Sequence, residues 1–277
     1  MNQGSHTPRI LIAGCGYTGE RCADFFCRDG AEVTGLVSSE ESARRLAAKP
    51  YGVLAANAAD REELKRRFSG HPTPDLLVHC LSGHAGRDAD AYLVTYVQTL
   101  RNLLDVLQPE FCVFTGSTSV YPEKGGGLVT EESPTGGTPT ADVLLRAERL
   151  ALEAGGAVVR LGGIYGPGRT RFIEAARTGT PTPGDPGGFI NFIHRDDAAA
   201  ALHHVGRHHL AGIWNAVDDH PVRREELAEA IRTGSSLAAR TPLPDATGKR
   251  VQNTKLKSTG WTPQYPGILD AIRARAV

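Results

Sequence analysis

The 277-residue chain lacks net charge, with 31 Lys and Arg side chains set against 31 Asp and Glu. Affinity for a polyanion rests on clustered cations that displace counterions, so no nucleic-acid partner is expected. The chain also lacks any apolar run near the roughly 20 residues of a spanning helix, and Met1–Arg9 is polar, unlike a secretory leader. A cytoplasmic protein with no membrane association is expected. Cysteine is scarce: Cys15, Cys22, Cys27, Cys80 and Cys112 are odd in number and include no C-x-x-C pair. That argues against a disulfide framework or a cysteine-bound zinc and for buried thiols. His203, His204, His208 and His209 form doublets that suit no standard zinc motif, and no metal is expected. Aromatics make up only 6% of the residues, with seven tyrosines, so the position of each phenol carries weight.

What the chain does have is glycine, 32 residues spread along its length, and a regular alternation of short apolar runs with amphipathic segments. This is the pattern of βαβ units building a parallel sheet covered on both faces. Strands are expected at Arg9–Ala13, Glu32–Val37, Gly52–Ala55, Leu76–Leu81, Phe111–Thr115 and Ala157–Leu161. Helices are expected at Tyr17–Arg28, Glu40–Ala48, Arg61–Phe68, Asp88–Leu107 and Asp142–Ala154, while Gly125–Thr138 reads as a loop. After Leu161 the alternation fails. Gly162–Gly188 reads as irregular with one short helix near Phe172–Arg177, and strands at Phe189–Ile193 and Ile213–Ala216 flank a helix at Asp196–Val205. Helices at Arg223–Arg232 and Ile268–Arg275 follow. The expected fold is α/β: a Rossmann-type doubly wound parallel sheet over residues 9–161, with a small carboxy-terminal substrate lobe over 162–277, of which about 189–216 return to the core.

The first strand runs straight into Gly14-Cys15-Gly16-Tyr17-Thr18-Gly19, a G-x-G-x-x-G that opens a helix. Glycine serves three ends here: a tight turn at Gly14, close approach of a pyrophosphate at Gly16, and helix-to-strand contact at Gly19. Phosphates would rest on the helix amino terminus, where N–H groups and the dipole favour negative charge. Gly14, Gly16, Tyr17, Thr18 and Gly19 are therefore expected to hold a dinucleotide, joined by Leu81 and Ser82 at the carboxyl edge of the sheet, where open sheets bind ligands. An NAD site offers a carboxylate about 20 residues into the motif. Here the second strand ends Leu36-Val37-Ser38-Ser39, and Glu40 and Glu41 fall in the next helical turn. Without that charge a 2′-phosphate is not repelled, and Ser38 and Ser39 can hydrogen-bond one. Arg44 or Arg45 assists, or else both belong to a solvated helix face. NADP is preferred over NAD.

Four ordered segments carry a resemblance: the glycine motif, Ser117-Thr118-Ser119-Val120-Tyr121-Pro122, Arg160-Leu161 leading to Ile164-Tyr165-Gly166-Pro167-Gly168, and Phe192-Ile193-His194-Arg195-Asp196-Asp197-Ala198. From about Arg9 to Ala216 the chain resembles the extended short-chain dehydrogenase/reductases, the NAD(P)-dependent sugar epimerase/dehydratase group. The resemblance implies hydride transfer at a nicotinamide. A Ser or Thr at Ser117 holds the substrate oxygen, a Tyr exchanges its proton, and a Lys four residues beyond that Tyr lowers the phenol pKa. The chain departs from this pattern at the reacting groups. Counting back from Ala147-Glu148 places Thr140 at the Tyr and Leu144 at the Lys, and no Tyr-x-x-x-Lys occurs in the sequence. A threonine hydroxyl is too weak an acid, and leucine carries no charge. The family's Asn in the long fourth helix falls at Tyr96. These features resemble the atypical subgroup, which keeps the Rossmann body without the usual catalytic residues.

Tyr121, Tyr96 and His84 are the candidate replacements, the last as an acid near neutral pH. Each also has a plain reading: a packed aromatic, a core phenol bonded to backbone, and a solvated loop histidine. Arg169 and Arg171 could hold a phosphate, carboxylate or nucleotide diphosphate of the substrate, or pair with local acids. His194 reads as architectural, with Asp196 and Asp197 starting a helix and a carboxylate capping it. The leading expectation is an oxidoreductase or epimerase-like enzyme using NADP(H) on a small polar or sugar-like molecule near Ser117. The alternative is a catalytically silent NAD(P)-binding redox sensor or scaffold; a lyase is a third. The apolar helix faces from Leu93 and Val143 either pair in a homodimer or pack on the sheet.

Overall fold

The computed structural model describes residues 6–82, 88–182, 184–236 and 247–277. Its first elements are β1 (Arg9–Ala13), α1 (Gly19–Arg28), β2 (Glu32–Val37), α2 (Glu40–Arg45), β3 (Gly52–Ala55), α3 (Arg61–Phe68) and β4 (Leu76–His79). A helical run in three parts follows: α4 (Ala89–Tyr92), a π-helical turn at Leu93–Gln98, and α5 (Thr99–Leu107). Next come β5 (Phe111–Ser117), β6 (Gly125–Val129), α6 (Pro139–Glu153), β7 (Ala157–Leu161), β8 (Gly163–Tyr165) and α7 (Arg171–Thr178). The remainder is β9 (Phe189–Ile190), β10 (Phe192–His194), α8 (Arg195–Arg207), β11 (Gly212–Ala216), β12 (Val222–Arg223), α9 (Arg224–Thr233), β13 (Gly248–Val251), α10 (Thr254–Lys257) and α11 (Ile268–Arg273).

Seven strands form one sheet in the order β11-β7-β5-β4-β1-β2-β3. β1 pairs in parallel with β2 and β4, β2 with β3, and β4 with β5. The strand order therefore reverses at β1, and such a switch point opens a crevice at the carboxyl ends of the strands. All four residues of β4 and all five of β7 are buried, as strands covered on both faces require. α1 buries Cys22, Ala23 and Phe26 and places Glu20 in its first turn and Arg28 in its last, each charge suited to the helix dipole at that end.

The chain divides into two compact units, one of residues 1–120, 136–159 and 199–213, the other of 121–135, 160–198 and 214–277. The first holds β1 to β5 and α1 to α6. In it Val97, Leu100, Leu103, Leu107, Val143 and Leu144 are buried, so these helix faces are covered within the chain; Val94 is 44% exposed. The second has its own core of Tyr165, Ile173, Val222, Leu227, Ile268 and Ala271, and pairs β8 with β10, β9 with β12, and β6 with β13.

Several elements differ from the sequence expectation. Gly125–Val129 is a strand rather than loop, because Gly248–Val251 supplies a partner far along the chain. The long helix expected from Asp88 to Leu107 contains the π turn. The helix expected from Tyr17 starts at Gly19, since Gly14–Thr18 form the turn, and α2 ends at Arg45 rather than Ala48. α6 starts earlier than Asp142: Pro139 suits a first helical position, and Thr138 Oγ1 accepts the Ala141 N–H at 3.2 Å as its cap. The strand expected at Phe189–Ile193 breaks at Asn191, whose side chain donates to Lys249 O at 2.8 Å and accepts from Val251 N at 2.7 Å.

Candidate functional site

β1 ends in a turn at Gly14, where φ is +86°. The Gly14 and Cys15 amides donate to Leu36 O at 2.9 and 3.1 Å. A Cβ on Gly14 would lie 2.6 Å from the backbone of Cys80 and Leu81, so both conformation and space demand glycine there. A Cβ on Gly19 would stand 2.3 Å from Gly14 O; α1 starts in contact with the turn. Gly16 differs. Its Cβ would meet only Gly14 O, at 4.0 Å, and the space beside it is open. Thr18 precedes α1 without a side-chain cap, and an anion suits such a helix end. The structure thus brings the glycine motif and the Leu81 backbone together. Cys15 is buried, and burial pushes its thiol up to about 11 while its Sγ sits 3.7 Å from Tyr51 Oη.

At the tip of β2 the side chains divide their roles. Ser38 is exposed, whereas Ser39 caps α2, its Oγ accepting the Ser42 N–H at 3.2 Å. Arg45 bonds Glu20 at 2.9 Å and Lys49 reaches the same carboxylate at 2.9 Å. Burial opposes ionisation of Glu20, yet these two cations hold its carboxyl below the usual range. Arg44 is exposed and donates from Nε to Glu40 O at 3.3 Å.

Ser117 closes β5, half-buried, its Oγ accepting the Ser119 N–H at 3.1 Å. Thr140 lies in the first turn of α6, and Leu144 is buried one turn on. Neither supplies an acid or a charge. α6 packs against β5 and against the π turn that carries Tyr96. The Tyr96 ring stands edge-on to Phe114 at 6.2 Å and to Tyr92 at 5.1 Å. His84 lies outside the described residues. A histidine that the sequence reading passed over, His79, ends β4 fully buried, with Nε2 2.9 Å from Thr99 Oγ1, and burial lowers its pKa to about 4. The signal was available: a polar residue inside an apolar strand must find a partner.

In the second unit Tyr121 is 2% exposed. Its phenol donates to Asn215 Oδ1 at 2.7 Å and accepts from Arg160 Nη1 at 2.8 Å, with the guanidinium also over the ring at 4.9 Å. Burial raises the Tyr121 pKa, against the opposing pull of Arg160. Lys249 Nζ donates to Tyr121 O at 2.6 Å, and Asn215 N donates to Glu131 at 2.8 Å. Tyr121 is thus fastened at phenol and carbonyl alike. Arg169 and Arg171 are both exposed, the second opening α7. Asp197 holds a loop rather than capping its helix: it accepts the Gln264 and Tyr265 N–H groups at 2.6 and 3.1 Å, with burial pushing it up to about 6. His194 is architectural, its Nε2 2.9 Å from Ala276 O and its ring 4.3 Å from that of Tyr265.

Residues 10–216 match the model of the NAD dependent epimerase/dehydratase family. Among solved structures, a protein from Methylobacillus flagellatus assigned by name to the NAD-dependent epimerases/dehydratases gives a TM-score of 0.80 at 28% identity over 97% of each chain. MoeE5 in complex with UDP-glucose and NAD gives 0.76 at 19% identity over 96% of each chain. The UDP-glucose 4-epimerase of Thermus thermophilus, in complex with NAD, gives 0.72 at 21% identity over 96% of each chain. No curated protein matches the sequence.

Proposed function

The chain belongs to the NAD dependent epimerase/dehydratase family, and from that premise we propose that it is an oxidoreductase or epimerase-like enzyme using NADP(H) on a small polar or sugar-like substrate. One observation carries the reading: Gly14 and Gly19 are required by the packing of the turn itself, whereas Gly16 borders open space at the start of α1, which is what close approach of a pyrophosphate to the backbone needs. A bound nicotinamide supplies or accepts the hydride. Gly14, Gly16, Tyr17, Thr18 and Gly19 would hold its diphosphate, with Leu81 and Ser82 alongside. Ser38 and Arg44 are the groups for a 2′-phosphate, and Ser39 contributes less because its hydroxyl caps α2.

Ser117 holds the substrate oxygen. Tyr96 is taken as the proton donor in this reading, ahead of His84, because its segment packs on α6 and its ring stands against Phe114 of the strand that ends at Ser117, whereas the phenol of Tyr121 is held by Arg160 and Asn215. Arg169 and Arg171 are the cations for an anionic part of the substrate, a class to which the UDP-glucose of MoeE5 belongs. Among the described residues no helix is long and apolar enough to cross a membrane, and the same reading places the protein in the cytoplasm. A homodimer would form through surfaces other than the buried faces at Val97 and Val143.

The test uses purified protein. Nicotinamide fluorescence should show tighter binding of NADPH than NADH, and deuterium from one face of C4-labelled NADPH should pass to a member of a carbonyl panel. Binding without transfer across the panel would instead favour the silent sensor, the reading to which buried Leu144 lends support.

A further inference from the structure

We propose that His79 and Thr99 are positioning residues that hold the π turn at Leu93–Gln98 and through it set the place of the Tyr96 phenol. Its catalytic consequence rests on the reading of Tyr96 as proton donor. The bonding at the turn carries the argument. At Thr99 the backbone N–H reaches Val94 O, five residues back, in place of the carbonyl four residues back. Thr95 O thereby loses its ordinary helical donor. The Thr99 hydroxyl takes that carbonyl, Oγ1 to O at 2.5 Å. A hydroxyl has one proton to give, so toward His79 Nε2, 2.9 Å away, Thr99 Oγ1 is the acceptor. The imidazole is then neutral with its proton on Nε2, as a fully buried ring should be, and Nδ1, a bare lone pair in that tautomer, is the nitrogen with no hydrogen-bond partner among the described residues.

The turn matters because of what is fixed on either side of it. At its last residue Gln98 Nε2 donates to Ala59 O at 3.0 Å, and beyond it Asn102 Nδ2 donates to Ala58 O and Ala59 O at 3.1 and 3.0 Å. These bonds clamp the helix to the loop beyond β3. Each residue turns a helix by about 100°, so closing the π turn into plain α-helix swings the side chains before the clamp by that angle. Tyr96 would leave its edge-on place against Phe114, which stands on the same strand as Ser117. His79 is placed by β4, paired with Ala13 of β1 and with Phe114 of β5. The relay therefore ties the strand that ends at the glycine turn to the segment that presents Tyr96.

Thr99→Val removes the hydroxyl from a nearly isosteric side chain, and Thr99→Ser keeps it. In protein labelled with 3-fluorotyrosine, the Tyr96 resonance is assigned by its loss in Tyr96→Phe. That resonance should move beyond its linewidth in Thr99→Val and return in Thr99→Ser, while the Kd for NADPH changes less than twofold. His79→Leu should move it in the same way, and stands as the second variant where Thr99→Val does not fold. A Tyr96 resonance unchanged in a folded Thr99→Val or His79→Leu protein overturns the inference. With a turned-over carbonyl in hand, Thr99→Val should lower kcat at least tenfold with KM within twofold. Full hydride exchange in Tyr96→Phe defeats the catalytic reading alone, since the resonance reports the positioning independently.

Discussion

Replacing Gly16 by alanine should separate what the fold needs from what the ligand needs. The new Cβ would meet nothing closer than Gly14 O at 4.0 Å, and Gly16 is not among the glycines with positive φ. The folded chain therefore accommodates alanine without strain, and the unfolded chain loses freedom, a stabilisation of about 0.4–1 kcal/mol. Binding responds oppositely. A methyl in the open space displaces a diphosphate that approaches the backbone, and overpacking of this kind costs about 1–3 kcal/mol, or roughly 5- to 150-fold in Kd. Gly19→Ala is the contrast. Its Cβ would stand 2.3 Å from Gly14 O, so α1 must shift by about an ångström and stability falls by about 1–3 kcal/mol. The assay is denaturant unfolding with and without NADPH, beside a fluorescence titration of the nucleotide. Gly16→Ala protein that binds NADPH as the wild type does, or that unfolds at lower denaturant, would refute the assignment of the open space to a cofactor.

Tyr121→Phe should remove the hydroxyl that bonds Arg160 Nη1 and Asn215 Oδ1, at a cost of about 1–3 kcal/mol, while the Kd for NADPH is unchanged; loss of hydride exchange with stability retained would reverse that assignment. His79 has a folded pKa of about 4, below its ordinary value of 6.5. The stability tied to its neutral form is present above pH 6.5 and is lost as pH falls through 4, amounting to about 3 kcal/mol. Urea midpoints at about pH 7 and pH 4.5 should accordingly lie closer together in His79→Leu. Arg44→Ala should weaken NADPH and spare NADH in paired titrations, whereas Ser39→Ala should cost about 1 kcal/mol of stability through the lost cap of α2 and change the ratio of the two affinities little.

The sheet and the glycine turn were legible because their signals are local. Alternation of apolar runs predicts β1, β2, β3 and β7 at their observed bounds, and the three glycines state the turn in six residues. Features that depend on distant partners were not legible. β6 looks like loop until β13 lies beside it, and Tyr121 looks like a candidate acid until β7 and β11 bring Arg160 and Asn215 to its hydroxyl. Ser39 shows a different limit: a serine at a strand tip serves equally as a phosphate donor and as a helix cap, and only the Ser42 amide distinguishes them. The π turn has no pattern of its own in the apolar spacing from Leu93 to Leu107, since the hydroxyl of Thr99 and the ring of His79 that satisfy it stand 20 residues apart in the chain, with α4 between them.

The exchange of an ammonium for Leu144 has a directional consequence for any reaction at Ser117. A cation beside a phenol lowers its pKa toward neutrality, so that one group can both give and take a proton. Leu144 is 3% exposed and supplies no charge. A tyrosine without such a neighbour titrates near 10 and is almost wholly protonated at neutral pH. It can protonate a carbonyl oxygen as hydride arrives, but it is a poor base for an alcohol. In the proposed reading, such a site favours reduction of a carbonyl over oxidation of an alcohol. Reductive turnover that uses the phenol as an acid should therefore show no rise between about pH 6 and 8. A rate that climbs between about pH 6 and 8 would demand a base of near-neutral pKa, and would move the proton chemistry away from Tyr96.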